Sequence, residues 1–462
     1  MKLYPLENIS EPNLVKDIFP YSLPPLITFQ DDIIEIIDGE QVKFDPRSVL
    51  TRDIHITDTT FRDGQQSRPP YTKEQMVKVY EMLSRLGGPN GIIRQTEFFL
   101  YTKNDRATVD ECRSLGLKYP EITGWIRANI ADFRLVKEMQ LKETGMLTSC
   151  SDYHIFHKQN QSRQQAMDQY LQVVEAALEH GVRPRCHLED VTRADIKGFV
   201  IPFVQRLEKL TESQPDHMKV KIRLCDTMGF GITFPNVAEP RSIPKLIYRM
   251  KEECGISGDR LEWHGHNDFH KVHINGASCW IYGLDAVNTT LFGFGERTGN
   301  PPLEGAVIEY VSLKGGLNGI RLPVLTELAD YFVNEIGAPI PANYPFVGRD
   351  FNTTRAGIHA GGLRRNEEIY NIFDTTALLN RPPQVAITDK SGTDGVALWV
   401  NNFLGLKGEQ QLTVMKVAKI QRWVMDQYEQ NGRLTVISNE ELEEQVQLHF
   451  PELCAQAKAG KK

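Results

Sequence analysis

The sequence predicts an α/β protein: a TIM (β/α)8 barrel followed by a mostly helical C-terminal region. From Ile54 onward, a short apolar or β-branched run is followed by a helix-length polar/apolar pattern, and the unit recurs eight times. Eight units in about 260 residues match the count and size of such a barrel. Polar side chains also gather where the predicted strands end, which is where barrel enzymes place their chemistry. A doubly wound open sheet is the competing fold. It ordinarily has fewer units and a Gly-rich phosphate turn after its first strand, whereas here the first strand is followed by Arg62-Asp63-Gly64-Gln65-Gln66.

Residues 1–50 are punctuated by proline and hold one short apolar run, Ile33 to Ile37, so they are expected to form an N-terminal arm. The barrel is expected over 51–318, with strands at 54–61, 92–99, 122–128, 142–150, 183–190, 219–227, 261–266 and 286–294. Helices are expected between them at 72–86, 104–116, 131–139, 162–180, 195–213, 242–254, 270–282 and 303–313. Past residue 318 the rhythm changes. Residues 319–462 read as a helical region with pieces at 324–336, 366–373, 394–405, 408–431 and 439–447, joined through a Pro-rich loop at 337–345.

Composition narrows the function classes. The 462 residues carry 53 Lys plus Arg against 60 Asp plus Glu, a formal net charge of -7. No basic patch or run stands out, which argues against nucleic acid and anionic membrane as partners. No apolar run approaches a membrane span and the start of the chain lacks a signal-peptide core, so a soluble cytoplasmic protein is expected. The seven cysteines lack Cys-x-x-Cys spacing, which speaks against both a disulfide framework and a zinc ribbon.

The most reactive side chains meet in Leu261-Glu-Trp-His-Gly-His-Asn-Asp268. On a strand His264 and His266 share a face, so their imidazoles can supply two ligands to a divalent ion. By itself the pair is equally compatible with a polar strand end. Asp63, arriving after the first barrel strand beside the seventh, supplies an anionic third ligand. With an amide oxygen such as that of Asn300, the set suits a catalytic ion with open positions, to which a 2-oxo acid could chelate. Arg62, adjacent to a ligand, could stabilise an oxyanion or simply pair with a barrel carboxylate. Glu189 could orient a base, take part in proton transfer or form a rim salt bridge.

Five ordered motifs carry a family resemblance: Asp58-Thr-Thr-Phe-Arg-Asp-Gly-Gln-Gln66, Leu188-Glu-Asp-Val-Thr-Arg193, Asp226-Thr-Met-Gly229, His264-Gly-His-Asn-Asp268 and Gly293-Phe-Gly-Glu-Arg-Thr-Gly-Asn300. Together they resemble the superfamily of isopropylmalate synthase, homocitrate synthase and HMG-CoA lyase, metal-dependent TIM barrels that make or break a carbon–carbon bond between an acyl-CoA and a keto acid. The resemblance implies Asp63, His264, His266 and Asn300 as ligands of a divalent metal (Mn2+, Mg2+, Co2+ or Zn2+). It implies Arg62 as the oxyanion and substrate residue, and Thr227 as a contact to the keto acid's carboxylate. Gly357-Ile-His359 and Tyr370 are similar to a motif of the synthase branch, in which the histidine acts with the barrel glutamate, here Glu189, to deprotonate acetyl-CoA. In that branch the pair reaches into the partner subunit's barrel, which implies a homodimer with shared active sites. Read without the resemblance, His359 is a loop histidine.

The lyases carry a cysteine in a Gly-rich loop after the eighth strand. This chain reads Gly299-Asn-Pro-Pro302, so synthesis is favoured. Arg185, four residues before Glu189, occupies the spacing at which homocitrate synthases hold a distal carboxylate. It is expected to bind a dicarboxylic 2-oxo acid bidentately, with a surface arginine at the strand's start as the plain alternative. Gln65, the expanded loop Gly87-Gly-Pro-Asn-Gly91, Arg94-Gln-Thr-Glu-Phe-Phe99 and Trp125-Ile-Arg127 look like the Re-citrate synthase branch. That similarity implies an acyltransferase that condenses acetyl-CoA with oxaloacetate and converts the acyl group to alkyl on transfer.

Overall fold

In the barrel strands, alternate side chains face opposite ways, and here the two faces differ in kind. Ile56, Ile93, Ile126, Met146, Leu188, Ile222, Leu224, Trp263 and Val287 are buried toward the helices. The residues between them are polar or charged: Thr57, Glu97, Thr123, Arg185, Arg223, Glu262 and Asn288 are also buried, and they fill the barrel's interior. The apolar core is therefore a ring between strands and helices, around an interior held by ion pairs and hydrogen bonds.

The computed structural model describes residues 1–406 and 408–459. Residues 460–462, the end of the expected helical region, lie outside the described residues, as does 407. A hairpin comes first, β1 (Ile33–Ile37) and β2 (Glu40–Phe44), antiparallel and joined by Asp38-Gly39, both at positive φ. Asp-Gly is a favoured pair for such a turn. Eight parallel strands then close a barrel: β3 (His55–Asp58), β4 (Ile93–Phe98), β5 (Glu121–Arg127), β6 (Glu143–Ser149), β7 (Arg183–Glu189), β8 (Lys221–Asp226), β9 (Leu261–Gly265) and β10 (Ala286–Thr289). Closure pairs β10 with β3 in the register Ala286↔His55 to Thr289↔Asp58.

The connecting helices are α1 (Lys73–Gly87), α2 (Lys103–Ser114), α3 (Ile130–Glu138), α4 (Arg163–Glu179), α5 (Ile201–Thr211), α6 (Ile243–Tyr248), α7 (Val272–Ile281) and α8 (Leu303–Lys314). Their starts are written locally. Thr72 with Gln75, Thr102 with Asp105 and Ser162 with Gln165 form capping boxes that satisfy first-turn N–H groups. Met76, Val79, Tyr80, Leu83 and Leu86 recur at helical spacing and give α1 its buried face.

The chain divides into two compact units, residues 26–339 and residues 1–25 with 340–462, so the boundaries differ from the expected breaks at 50 and 318. The reason is pairing. Ile27 N–H donates to Ser312 O at 2.9 Å, Ile36 N–H to Asn236 Oδ1 at 2.8 Å, and Asp38 pairs with Arg249 at 2.7 Å, which ties 26–50 to the barrel. Beyond α8, α9 (Pro323–Asn334) stays with the barrel through Arg321 N–H to Leu86 O at 3.0 Å and Glu327 to Arg85 at 2.8 Å.

The second unit holds the short parallel pair β11 (Thr353–Thr354) and β12 (Gln384–Val385). Its helices are α10 (Gly357–Arg365), α11 (Thr375–Leu379), α12 (Gly392–Leu404), α13 (Ala418–Glu429), α14 (Asn439–His449) and α15 (Pro451–Ala459). Ala360, Leu363, Val396, Val400, Ile420, Val424, Leu442 and Val446 make its core. Residues 1–25 join this unit: Asp374 N–H donates to Tyr21 O at 2.8 Å, and Tyr21 OH to Glu367 at 3.1 Å. The helix expected at 366–373 lies earlier, at Gly357–Arg365. Asn366, extended at φ -157, ends it and caps a short turn at Glu367–Ile369. Gly361 and Gly362 argue locally against a helix, and packing of α10 against α12 overrides that preference.

Candidate metal centre and active site

The metal-type cluster is assembled at the carboxyl ends of the strands. β9 delivers His264 and, one residue past its end, His266, while the turn after β3 delivers Asp63. Asp63 Oδ2 lies 3.5 Å from His264 Nε2 and 3.8 Å from His266 Nε2, and all three side chains are buried. His264 Nδ1 lies 2.8 Å from Asn288 Oδ1, and Asn288 Nδ2 donates to Thr57 Oγ1 at 2.9 Å. An amide oxygen only accepts, so the His264 proton sits on Nδ1 and the Nε2 lone pair faces Asp63. Burial holds both histidines below the ordinary imidazole pKa, hence neutral. Burial would raise the Asp63 pKa, but the adjacent Arg62 guanidinium is the largest opposing cause and the carboxylate stays ionised.

Several polar atoms of these groups are left without a hydrogen-bond partner among the described residues. Asp63 Oδ2, His266 Nδ1 and Asn300 Oδ1 are buried with no hydrogen-bond partner. Unmade bonds of that kind are costly unless a ligand completes them. Asn300 is fixed by donation from Nδ2 to Gly265 O at 3.1 Å, and its Oδ1 stands where a Cβ on residue 295 would come within 1.7 Å, so Gly295 is required. Two neutral imidazoles, one carboxylate and one amide oxygen fit a divalent cation.

Arg62 sits beside the cluster. Its Nη1 donates to Asp63 Oδ1 at 3.0 Å and its Nε to Glu97 Oε1 at 2.9 Å, and its guanidinium lies 5.5 Å from the Trp125 ring centroid. Nη2 keeps no partner among the described residues. Arg62 therefore pairs with two carboxylates and still presents donors beside Asp63.

Arg185 is placed differently from expectation. Its side chain has no exposed surface. Nη1 donates to Glu143 Oε1 at 2.8 Å and Gln95 Oε1 at 3.0 Å, Nη2 to Glu97 Oε2 at 2.7 Å and Thr123 Oγ1 at 3.2 Å, and Nε to His187 Nε2 at 3.3 Å. Every nitrogen is engaged inside the barrel, leaving no free edge for a substrate carboxylate. Neither the substrate-anchor reading nor the surface-arginine reading fits this placement.

Glu189 closes β7 at the barrel mouth. It accepts from Ser149 Oγ in a short hydrogen bond, from Lys158 Nζ at 3.0 Å, and pairs with His154 Nδ1 at 2.9 Å. Burial alone would raise its pKa, but His154, Lys158 and Ser149 bring it to about 2. A carboxylate held so low is a weak base. Thr227 Oγ1 accepts from Asp190 N–H at 2.8 Å, which leaves its own proton free to donate to a carboxylate. His359 and Tyr370 lie in the second unit, both exposed, with ring centroids 4.4 Å apart at 41°.

Glu97, Arg223, Glu262, His154 and Lys158 were absent from the residues singled out as a site. Glu97 also accepts from Arg223 Nη1 at 3.1 Å and Thr59 Oγ1 at 3.2 Å. Arg223 Nε donates to Glu262 Oε2 at 2.6 Å. A Cβ on residue 145 would fall 2.5 Å from His187 Nε2 and 2.9 Å from Glu97 Oε2, so Gly145 makes room for this hub. One signal could have found the interior members: Arg183, Arg185, His187 and Glu189, then Lys221 and Arg223, then Glu262, His264 and His266 repeat at every second residue. His154 and Lys158 stand on the helical turn Tyr153–Lys158 after β6, beyond the strand ends.

A citrate (Re)-synthase of Syntrophus aciditrophicus is 55% identical over 454 residues, 97% of this chain and 70% of that protein. A citrate (Re)-synthase of Clostridium kluyveri is 48% identical over 452 residues, 97% of this chain and 96% of that protein. A 2-phosphinomethylmalate synthase of Streptomyces hygroscopicus is 36% identical over 450 residues, 96% of this chain and 98% of that protein. Residues 53–331, which include the barrel, match the HMGL-like family. The chain belongs to the HMGL-like family.

Proposed function

We propose that the protein catalyses the Claisen condensation of acetyl-CoA with oxaloacetate, giving citrate and CoA, and that it works in the cytoplasm as a homodimer. Identity of 55% and 48% with two citrate (Re)-synthases over 97% of this chain carries the reading. A divalent cation held by Asp63, His264, His266 and Asn300 would supply Lewis-acid polarisation of the keto carbonyl.

The remaining work falls to side chains. The Arg62 Nη2 donors stabilise negative charge growing on the keto oxygen as the new carbon–carbon bond forms. The Thr227 hydroxyl donates to the C1 carboxylate and orients the keto acid. His359 removes a methyl proton from acetyl-CoA, and the Glu189 carboxylate favours the imidazolium so formed. Tyr370, whose ring lies beside that of His359, returns a proton to the keto oxygen or supports the thioester carbonyl. Water then cleaves the thioester and releases CoA. His359 and Tyr370 come from the partner subunit in this reading.

The reading is tested by incubating the purified protein with Mn2+, acetyl-CoA and oxaloacetate, 2-oxoglutarate or 2-oxoisovalerate in turn, while following free thiol. Turnover is expected with oxaloacetate above the others. Best turnover with 2-oxoglutarate or 2-oxoisovalerate would move the assignment to homocitrate or isopropylmalate synthesis. A metal-loaded protein that releases no thiol with any keto acid would make it a silent metal-binding regulator.

A further inference from the structure

The amino-terminal end of the barrel, opposite the metal-type cluster, holds a cavity of about 870 Å3. It opens where β5, β6 and β7 begin, at Glu121, Glu143 and Arg183. Its charge runs against that of the chain. Arg113, Lys118, Lys142 and Arg183, with His217, line it against the carboxylates of Glu121 and Glu143, in a protein of net charge -7. Glu143 is already held by Arg185 Nη1 at 2.8 Å and Lys221 Nζ at 3.2 Å, so its charge is spent inward. The field at the opening is positive.

Three of these cations form no ion pair with a carboxylate among the described residues. Arg183 donates from Nε to Lys219 O at 2.9 Å and from Nη2 to Asp216 O at 3.3 Å, both backbone carbonyls. Burial depresses its pKa, the mark of a guanidinium taken from water without a close counter-ion. Lys142 forms no ion pair among the described residues, and the Lys118 ammonium rests 5.0 Å from the Tyr119 ring centroid. The remaining wall is apolar, formed by Leu117, Pro120, Ile122, Leu141 and Met218. A basic rim and an apolar wall in a cavity of this size suit a ligand with a flat or apolar body and several negative charges at one end.

We propose that this cavity is a second small-molecule site, for a nucleoside phosphate, with the phosphates on Lys118, Lys142, Arg113 and Arg183 and the base against the apolar wall. The cavity is too large for a keto acid, and a lone carboxylate would leave most of the cations unmatched. Its floor is formed by Gln95 and Glu143, where a chain of buried ion pairs begins. The chain runs through Arg185, Glu97 and Arg62 to Asp63, so the two ends of the barrel share one electrostatic framework.

The test is equilibrium dialysis of the full-length protein with ATP as the probe, and with pyrophosphate and adenosine as its separate halves. Acetyl-CoA and keto acid are omitted, so the outcome is independent of the condensation chemistry. Saturable binding of one ATP per chain is expected, weakened at least tenfold by Lys118→Glu with Lys142→Glu. Both lysines are exposed and far from the metal-type cluster, so unchanged melting will show the variant folded. Lys142→Gln alone should fall between. Absence of saturable binding overturns the proposal, as does equal affinity in the wild type and the double variant, which would place ATP elsewhere. Pyrophosphate binding as tightly as ATP overturns the assignment of the base to the apolar wall.

Discussion

Arg185 and Glu97 form a closed pair in the middle of the barrel: Nη2 stands 2.7 Å from Oε2, and the two side chains are 0% and 1% exposed. Removing one partner of such a pair strands a charge and costs about 3–5 kcal/mol. Arg185→Gln is therefore expected to shift the urea unfolding curve to a markedly lower midpoint while leaving the ratios of KM among different keto acids as they are in the wild type. A stable variant with a raised KM for oxaloacetate alone would restore Arg185 as the substrate anchor.

Acid should unfold the barrel through its interior carboxylates. Burial pushes Glu143 and Glu262 up, but Lys221 and Arg185 around the first, and Arg223 and Arg185 around the second, hold each to about 2. The folded pKa lies below the unfolded value. Their stabilisation is therefore fully present above about pH 4.5 and is lost as pH falls from there toward 2, at on the order of 1 kcal/mol per pH unit for each group. Unfolding free energies measured between pH 5 and pH 3 should fall steeply in the wild type and less steeply in Glu143→Gln.

Metal should stabilise the fold as well as support turnover. Ligand at about 100 times its Kd adds about 2.7 kcal/mol when it binds only the native state. The melting temperature is expected to rise on adding Mn2+ after EDTA treatment, with condensation returning in parallel. Asp63→Ala should lose the melting shift, the bound metal and the activity together. A persistent Mn2+-dependent shift in this variant would place the metal elsewhere.

A shared active site predicts complementation. Asp63→Ala damages the barrel and His359→Ala the second unit, so each homodimer should be inactive. Mixed dimers in which the partner supplies His359 would regain one intact site, giving about a quarter of wild-type activity in a random equal mixture. Mixing without recovery, with subunit exchange confirmed, would put His359 and its barrel in the same chain.

The sequence determined much of the barrel because the responsible signals are local. Alternation in Arg185–His187–Glu189 and His264–His266, capping pairs such as Thr72 with Gln75, and helix-length repeats are short-range facts that survive without tertiary context. The cluster Asp63, His264 and His266 was legible for the same reason, since each stands at or shortly after a strand end. What only the tertiary structure decided is where charged side chains go once the barrel closes. Arg185 meets Glu97 across 88 residues of chain and Glu143 across 42, and closure surrounded it with acceptors that no local pattern reveals. A buried guanidinium must have its charge and donors satisfied, so these partners turned an expected substrate contact into the barrel's internal brace.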